Sequence, residues 1–219
     1  MQEQWTAVDQ YLSDVMLRPD EALEAALRES TAAGLPAINV SPTQGKLLHL
    51  LARLQRAGKI LEIGTLGGYS TIWLARALPR DGRLITLEYE PKHAAVARAN
   101  IARAGLAAIV DLRVGLAIQT LPQLVGDAPF DFIFIDADKQ STADYFQWAL
   151  KLSRPGSAIV VDNVVRKGAV ADANSTDTGV QGIRRFNDVL KSEARVSATA
   201  IQTVGSKGYD GFTLALVTS

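Results

Sequence analysis

Short apolar runs and longer segments with helical spacing alternate through the middle of the chain. Each apolar run predicts a strand, and the intervening segments predict helices. The predicted strands are 59–64, 83–88, 110–115, 130–136 and 157–163. The helices predicted between them are 68–78, 91–105, 116–124 and a segment that ends near Leu152.

The chain before residue 59 has a purely helical pattern. Two short helices are predicted within 3–33, with a break at Arg18-Pro19-Asp20 and Asp20 as the cap of the second. A third helix begins with Ser41 as cap and Pro42 at its first position. In this third helix one face carries an apolar stripe, formed by Leu47, Leu50, Leu51 and Leu54.

The last part of the chain has a different pattern. A loop over 164–179 and a helix over 180–194 precede two apolar runs, VSATAIQT and FTLALVT. The connection between these runs, VGSKGYDG, is too short for a crossover, so the two strands form an antiparallel hairpin.

The strands LEI, FIFI and AIVV are apolar on both faces, which is typical of a parallel sheet covered by helices on each side. The sequence therefore predicts an α/β fold: a Rossmann-like, doubly wound sheet of seven strands, mostly parallel, with an antiparallel C-terminal hairpin. We expect a single domain over 1–219, with N-terminal helices over 1–58 that cover the site and a core over 59–219.

Polar side chains follow two of the buried strands. Asp136 ends the run FIFID, and Asp162 and Asn163 end the run AIVVDN. A right-handed crossover between successive strands would bring these ends together, where three oxygens suit a hard divalent cation, Mg²⁺, Mn²⁺ or Ca²⁺. The alternative is that these aspartates are helix caps or loop residues.

Lys139 and Asp138 follow the first of these strand ends. Lys139 is close to the predicted cation, whose charge would favour the neutral amine and make Lys139 a candidate general base. A solvated lysine is the alternative. Asp138 is expected to cap the next helix.

A glycine-rich turn, LEIGTLGGYS, follows the first strand. Gly64, Gly67 and Gly68 allow a sharp turn and a close ligand, but their spacing does not fit a dinucleotide pyrophosphate. Glu62 would attract an ammonium group, and Glu88 ends the second strand where an acidic residue binds ribose hydroxyls. The pattern favours a positively charged nucleoside. The alternative is a tight turn with a solvated Glu88.

Composition narrows the function further. Lys plus Arg and Asp plus Glu number 23 each, so no basic excess points to nucleic acid, and a small molecule is the expected partner. The absence of cysteine excludes thiol chemistry and fits a cytoplasmic protein. The N-terminus does not resemble a signal peptide, no run suits a membrane span, and neither histidine has a zinc-spaced partner.

Taken together, LEIGTLGGYSTIWLARAL, Glu88, FIFIDADK and VVDNVV resemble the class I, metal-dependent O-methyltransferases. The resemblance is to the group that contains bacterial catechol-type enzymes and plant caffeoyl-CoA O-methyltransferases, and it extends from about Val40 to the C-terminus. It implies methyl transfer from S-adenosylmethionine (SAM) to a hydroxyl of a catechol-like molecule, assisted by a divalent cation, usually Mg²⁺.

The resemblance also implies roles for individual residues. The metal ligands would be Asp136, Asp162 and Asn163, with Lys139 and Asp136 in catalysis. The residues implied around SAM are Val40, Glu62, Gly64, Thr65, Gly68, Ser70, Glu88, Tyr89, Ala117 and Asp136. Family members are often dimers, so a homodimer is expected.

Two other functions stay open, an NAD-linked oxidoreductase on a similar fold and a non-catalytic SAM-binding protein. The acceptor stays open too, since hydroxamates, flavonoids or other vicinal diols suit the same chemistry. In the 164–179 loop, Arg166 and Lys167 either favour an acidic acceptor or are simply solvated.

Overall fold

The computed structural model describes all 219 residues. Seven strands form one sheet: β1 (Lys59–Ile63), β2 (Arg83–Glu88), β3 (Val110–Val114), β4 (Phe132–Ile135), β5 (Ala158–Asp162), β6 (Val196–Gly205) and β7 (Gly208–Val217). Eight α-helices accompany it: α1 (Gln2–Met16), α2 (Glu21–Ala32), α3 (Pro42–Leu54), α4 (Tyr69–Ala75), α5 (Pro91–Arg103), α6 (Ala117–Thr120), α7 (Thr142–Lys151) and α8 (Thr178–Ser192).

The strand order is β3-β2-β1-β4-β5-β7-β6. All neighbours among β1 to β5 pair in parallel, whereas β7 runs antiparallel to both β5 and β6. This confirms the predicted fold class, including the C-terminal hairpin. The carboxyl ends of β1, β2, β4 and β5 therefore meet at one edge of the sheet, where α/β proteins bind ligands.

Both faces of the sheet are covered, as the apolar strands predict. Leu61 and Ile63 of β1 pack in the larger core cluster with Phe146 of α7 and Phe186 of α8. The opposite face of the sheet packs against α2, α3 and α4. No helix combines the length and the apolar character that a membrane crossing requires. The division into 1–58 and 59–219 stays a prediction.

Local signals explain where the N-terminal helices begin. The Asp20 carboxylate accepts a hydrogen bond from the Leu23 N–H, and the Ser41 hydroxyl accepts one from the Gln44 N–H. Pro42 follows Ser41 at the first position of α3, where its missing N–H is not needed. The predicted caps of α2 and α3 are confirmed.

The apolar stripe of α3 is not its most buried face, although Leu51 of the stripe packs against the core. Gly45, Leu48 and Ala52 face the core, while Leu50 and Leu54 are 46% and 80% exposed. Gly45 packs so closely on Trp73 that a Cβ atom there would overlap the indole. The helix packs through its small residues, which spacing among leucines does not reveal.

Two other boundaries differ from the prediction. The helix expected over 116–124 is the short α6 followed by a 3₁₀ helix at Leu121–Gly126, since Pro122 cannot donate a helical hydrogen bond. The C-terminal hairpin is tighter than predicted, because Gly205 pairs with Gly208 and leaves only Ser206 and Lys207 in the turn.

Candidate active site

The two polar strand ends lie side by side. Strands β4 and β5 are parallel neighbours, with Ile135 opposite Val161. The next residues along the chain, Asp136 just after β4 and Asp162 as the last residue of β5, therefore lie at the same level. Asn163 follows with a left-handed backbone, φ +60°, which turns the chain at this point. The predicted juxtaposition of Asp136 and Asp162 is present in the structure.

Lys139 contacts the first of these carboxylates. Its Nζ atom lies 2.7 Å from Asp136 Oδ1, and both side chains are mostly buried. Lys139 begins a 3₁₀ helix that Asp138 caps by accepting a hydrogen bond from the Ser141 N–H, so the predicted capping role of Asp138 is confirmed. A Cβ atom on Gly182 of α8 would overlap the Lys139 carbonyl oxygen. Close packing by α8 thus fixes the position of Lys139.

Asp162 is held by two hydrogen bonds. Its Oδ1 atom accepts from the Asn163 N–H at 2.8 Å, and its Oδ2 atom accepts from Gln44 Nε2 at 2.7 Å. The side chain is nearly inaccessible to solvent. Burial, together with the negative charge of Asp136, raises the pKa of the Asp162 carboxyl above its usual range. Two adjacent carboxylates in this setting favour a nearby cation.

The donor set fits a hard divalent cation. Asp136, Asp162 and Asn163 offer carboxylate and amide oxygens, and the Lys139 ammonium stands in for a cation at Asp136. The structure holds no cluster of three or more His, Cys, Asp or Glu side chains placed to bind a metal. A cation held here would take few ligands from the protein, and water or substrate oxygens would fill its remaining coordination positions.

The glycine turn lies against the same site. Gly64 has φ +101°, and a Cβ atom there would overlap the carbonyl oxygen of Asp136. The next two amides, Thr65 N–H and Leu66 N–H, donate to Glu88 Oε2 at 3.2 and 2.7 Å. The turn after β1, the end of β2 and the end of β4 are thus joined by direct contacts.

Glu62 lies outside the lining of the cavity described below, and its attraction of an ammonium group stays a prediction. The side chain is fully buried, and its carboxylate accepts hydrogen bonds from the hydroxyls of Ser70, Thr71 and Thr86 at 2.7, 2.5 and 2.7 Å. Burial raises the pKa of Glu62 to about 7 despite these bonds. Side chains alternate between the two faces of a strand, and this alternation places Glu62 on the face of β1 that α4 covers.

A cavity of about 920 Å³ opens between the glycine turn and the strand ends. It brings together most of the residues predicted for the cofactor and the reaction: Val40, Gly64, Thr65, Ser70, Glu88, Tyr89, Ala117, Asp136, Lys139 and Asn163. Asp162 stands behind this lining. Gly68 also lies outside the lining. It caps the start of α4 with φ +84°, and a Cβ atom on it would lie 3.4 Å from Ala97.

Several lining residues were missed by sequence reasoning. His93 lies at the cavity with Nδ1 3.5 Å from Glu88 Oε1, and its place just after β2 was an available signal. The connection between α2 and α3, residues 35–40, forms another wall. Lys207 also lines the cavity. Arg166, for which the sequence left contact with an acidic acceptor or solvation open, lines the cavity too, whereas Lys167 is exposed. No local pattern marks these loop positions.

Known proteins share this architecture over the whole chain. The O-methyltransferase family matches residues 15–217. The catechol O-methyltransferase of Niastella koreensis is 61% identical over 213 residues, which cover 96% of each chain.

Two solved structures are similar throughout. The O-methyltransferase from Bacillus cereus in complex with SAH has a TM-score of 0.98 and 61% identity, and 100% of each chain is covered. TomG from Streptomyces achromogenes, in complex with SAM and involved in tomaymycin synthesis, has a TM-score of 0.97 and 57% identity, with 100% of this chain and 99% of that chain covered. These matches confirm the predicted enzyme class, and the chain belongs to the O-methyltransferase family.

Proposed function

We propose that the protein transfers the methyl group of SAM to one hydroxyl of a catechol-like molecule, with assistance from a divalent cation. The observation that carries this proposal is the shared cavity. It joins the glycine turn and Glu88 at one end to Lys139, Asp136 and Asn163 at the other. Relatives named catechol O-methyltransferase support the acceptor class.

The cofactor end suits a nucleoside. Glu88 is fixed by three backbone amides, of Thr65, Leu66 and Glu90, so its carboxylate is oriented before any ligand binds. We assign Glu88 to the ribose hydroxyls, and Tyr89 and Ala117 to the adenine. Val40, Gly64 and Ser70 line the part of the cavity that would hold the methionine moiety. SAM supplies an electrophilic methyl group on a sulfonium.

The reaction end suits two vicinal oxygens. A divalent cation held by Asp136, Asp162 and Asn163 would orient such oxygens and lower the pKa of a hydroxyl. Lys139 is the candidate base, because its Nζ atom already touches the carboxylate around which the acceptor would bind. Most of the rate gain would come from alignment of the acceptor oxygen and the methyl group within the cavity.

The test is methyl transfer from labelled SAM to a panel of catechols, with Mg²⁺ and with EDTA. Product with Mg²⁺ that disappears with EDTA is the expected result. Equal product in both conditions would remove the metal from the proposal but keep the methyl transfer. SAM binding without product on any catechol would favour the non-catalytic alternative. Thermal-shift titrations with NADH and with SAM test the oxidoreductase alternative, which requires stabilisation by NADH.

A homodimer and a cytoplasmic location stay proposals by analogy with the family. Size measurement in solution tests the first, and fractionation of cells tests the second.

A further inference from the structure

The guanidinium of Arg166 has no partner in the protein. Its Nε atom is buried without a hydrogen-bond acceptor, and the side chain forms no ion pair. The other cations that line the cavity are engaged, Lys139 with Asp136 and Lys207 with the carbonyl oxygen of Ala37. An unsatisfied buried N–H costs about 1–3 kcal/mol. The Arg166 side chain lines the cavity, so the rest of its guanidinium is available to a ligand that accepts hydrogen bonds.

The backbone holds Arg166 firmly at the cavity. The N–H groups of Val165 and Arg166 both donate to Asp210 Oδ1, at 2.9 and 3.0 Å. Arg166 has a left-handed backbone, φ +55°. A non-glycine residue keeps such a conformation only where its surroundings impose it. The guanidinium is therefore presented from a fixed point, as a binding residue requires.

Arg166 belongs to the acceptor end of the cavity. It follows Asn163 in the loop after β5, a strand three places along the sheet from β2, which carries Glu88. A Cβ atom on Gly179 would meet Lys139 Cβ at 3.4 Å and Arg166 Nη2 at 3.5 Å. The guanidinium and the stem of Lys139 thus flank the same glycine, as does Asp177 Oδ1 at 3.1 Å, and the absence of a side chain on Gly179 leaves room between them.

We propose that Arg166 sets the acceptor specificity: the preferred acceptor is a catechol that carries a carboxylate, and the Arg166 guanidinium binds that carboxylate. This inference rests on the proposed catechol methylation. A planar guanidinium matches a carboxylate with two parallel hydrogen bonds, and a desolvated pair of this kind discriminates strongly against neutral analogues. Lys167 is exposed and outside the cavity, so it takes no part.

The experiment compares each acid with its own methyl ester. Suitable acids are 3,4-dihydroxybenzoate, 3,4-dihydroxyphenylacetate and 3-(3,4-dihydroxyphenyl)propanoate, each tested beside its methyl ester. The three acids differ in the distance from the ring to the carboxylate. For the best length, we expect the unmodified enzyme to favour the acid about tenfold or more in kcat/KM. Arg166→Gln should abolish this ratio, Arg166→Lys should keep part of it, and Lys167→Gln should leave it unchanged. The ratio cancels any general loss of folded enzyme.

The outcomes separate the two proposals. Methylation of the esters without any preference for the acids would overturn the role of Arg166 and keep the proposed function. A preference that survives Arg166→Gln would overturn it too. Methylation of neither acids nor esters would remove the proposed function and this inference together. As a second variant, Arg166→Glu should shift preference toward 4-(2-aminoethyl)catechol, and an unchanged preference for acids would contradict the assignment.

Discussion

Two groups of carboxylates end or interrupt apolar strands in this protein, and their surroundings differ. Glu62 lies inside β1, where three hydroxyl groups from α4 and β2 donate to it. Asp136 and Asp162 lie at the strand ends, where a single ammonium, that of Lys139, contacts Asp136. Both Glu62 and Asp162 are buried, so burial alone does not separate them.

The two groups of carboxylates differ in the hydrogen-bond donors and charges that the protein places beside them. The hydroxyls around Glu62 satisfy it in either protonation state, because a hydroxyl can both donate and accept. The strand-end pair has two adjacent negative charges and one contacting ammonium, that of Lys139. In the proposed function an external cation would replace this ammonium at Asp136. The number and charge of internal partners, rather than the acidic residue itself, divides a structural carboxylate from a ligand-binding one.

The strongest test of this comparison is Asp136→Asn. It removes a negative charge where the cation and the acceptor meet, and we expect a loss of methyl transfer of about 100-fold or more. Stabilisation of the protein by Mg²⁺ in thermal melts should disappear with it. The control is Asp144→Asn, an exposed residue of α7. Retained Mg²⁺ stabilisation in the Asp136 variant would contradict the metal assignment.

Glu62→Gln tests the buried carboxylate of β1 through the pH dependence of the free energy of unfolding. The folded protein binds the Glu62 proton more tightly than the unfolded chain, since its pKa rises from 4.5 to about 7. The free energy of unfolding should therefore fall as pH rises through this window, by at most about 1.4 kcal/mol per pH unit from this group. Urea unfolding of both proteins from pH 5 to pH 8 measures the difference.

In the Gln variant this fall should be absent, so its stability relative to the unmodified protein improves as pH rises. Glu29→Gln, at an exposed site, is the control and should follow the unmodified protein. Parallel curves for the Glu62 variant and the unmodified protein would show that Glu62 titrates normally.

Gln44→Leu tests the support behind Asp162. Gln44 Nε2 donates to Asp162 Oδ2, and loss of such an outer partner weakens metal binding about tenfold. The expected result is a higher Mg²⁺ concentration at half-maximal rate with little change in the maximal rate. Thr43→Ala, on the same turn of α3, should leave the Mg²⁺ requirement as it is. An unchanged Mg²⁺ requirement in the Gln44 variant would mean that Asp162 is oriented without it.

The smallest expected effects are those of substitutions at Ser70 and Thr71, and they distinguish the two hydroxyls. Both hydroxyls donate to Glu62, so Ser70→Ala and Thr71→Val should each cost about 1 kcal/mol of unfolding free energy. Only Ser70 lines the cavity, so only its variant should also raise the KM for SAM. Equal KM values in the two variants would remove Ser70 from the cofactor end.

The sequence predicted the fold and the strand ends because those follow from regular geometry. Apolar strands on both faces imply helices on both sides, and successive parallel strands bring Asp136 beside Asp162. The face of β1 that carries Glu62 was not predictable, because both faces of that strand are apolar and alternation alone does not say which one meets the ligand. The turn of Glu62 under α4 appears only once the strand is placed.

The sequence left the positions of loop residues open for a different reason, and for Arg166 it did not decide between contact with an acidic acceptor and solvation. Arg166 reaches the cavity through a left-handed backbone held by Asp210, which is 44 residues away in the sequence. Lys207 reaches it from a two-residue turn. Such positions depend on long-range contacts, whereas periodicity and caps report only on local structure. The exposed leucines of α3 show the same limit, since the close packing of Gly45 on Trp73 is also a long-range contact.

The overlap between Gly64 and the Asp136 carbonyl has a consequence for redesign. With no space for a side chain there, the glycine turn and the backbone of Asp136 are packed so closely that neither can be changed without the other. The 164–168 loop, tied to β7 through Asp210, is a separate module. In laboratory evolution toward new acceptors, substitutions should therefore accumulate in that loop and around Arg166. Gly64 and its neighbours in the turn should stay unchanged.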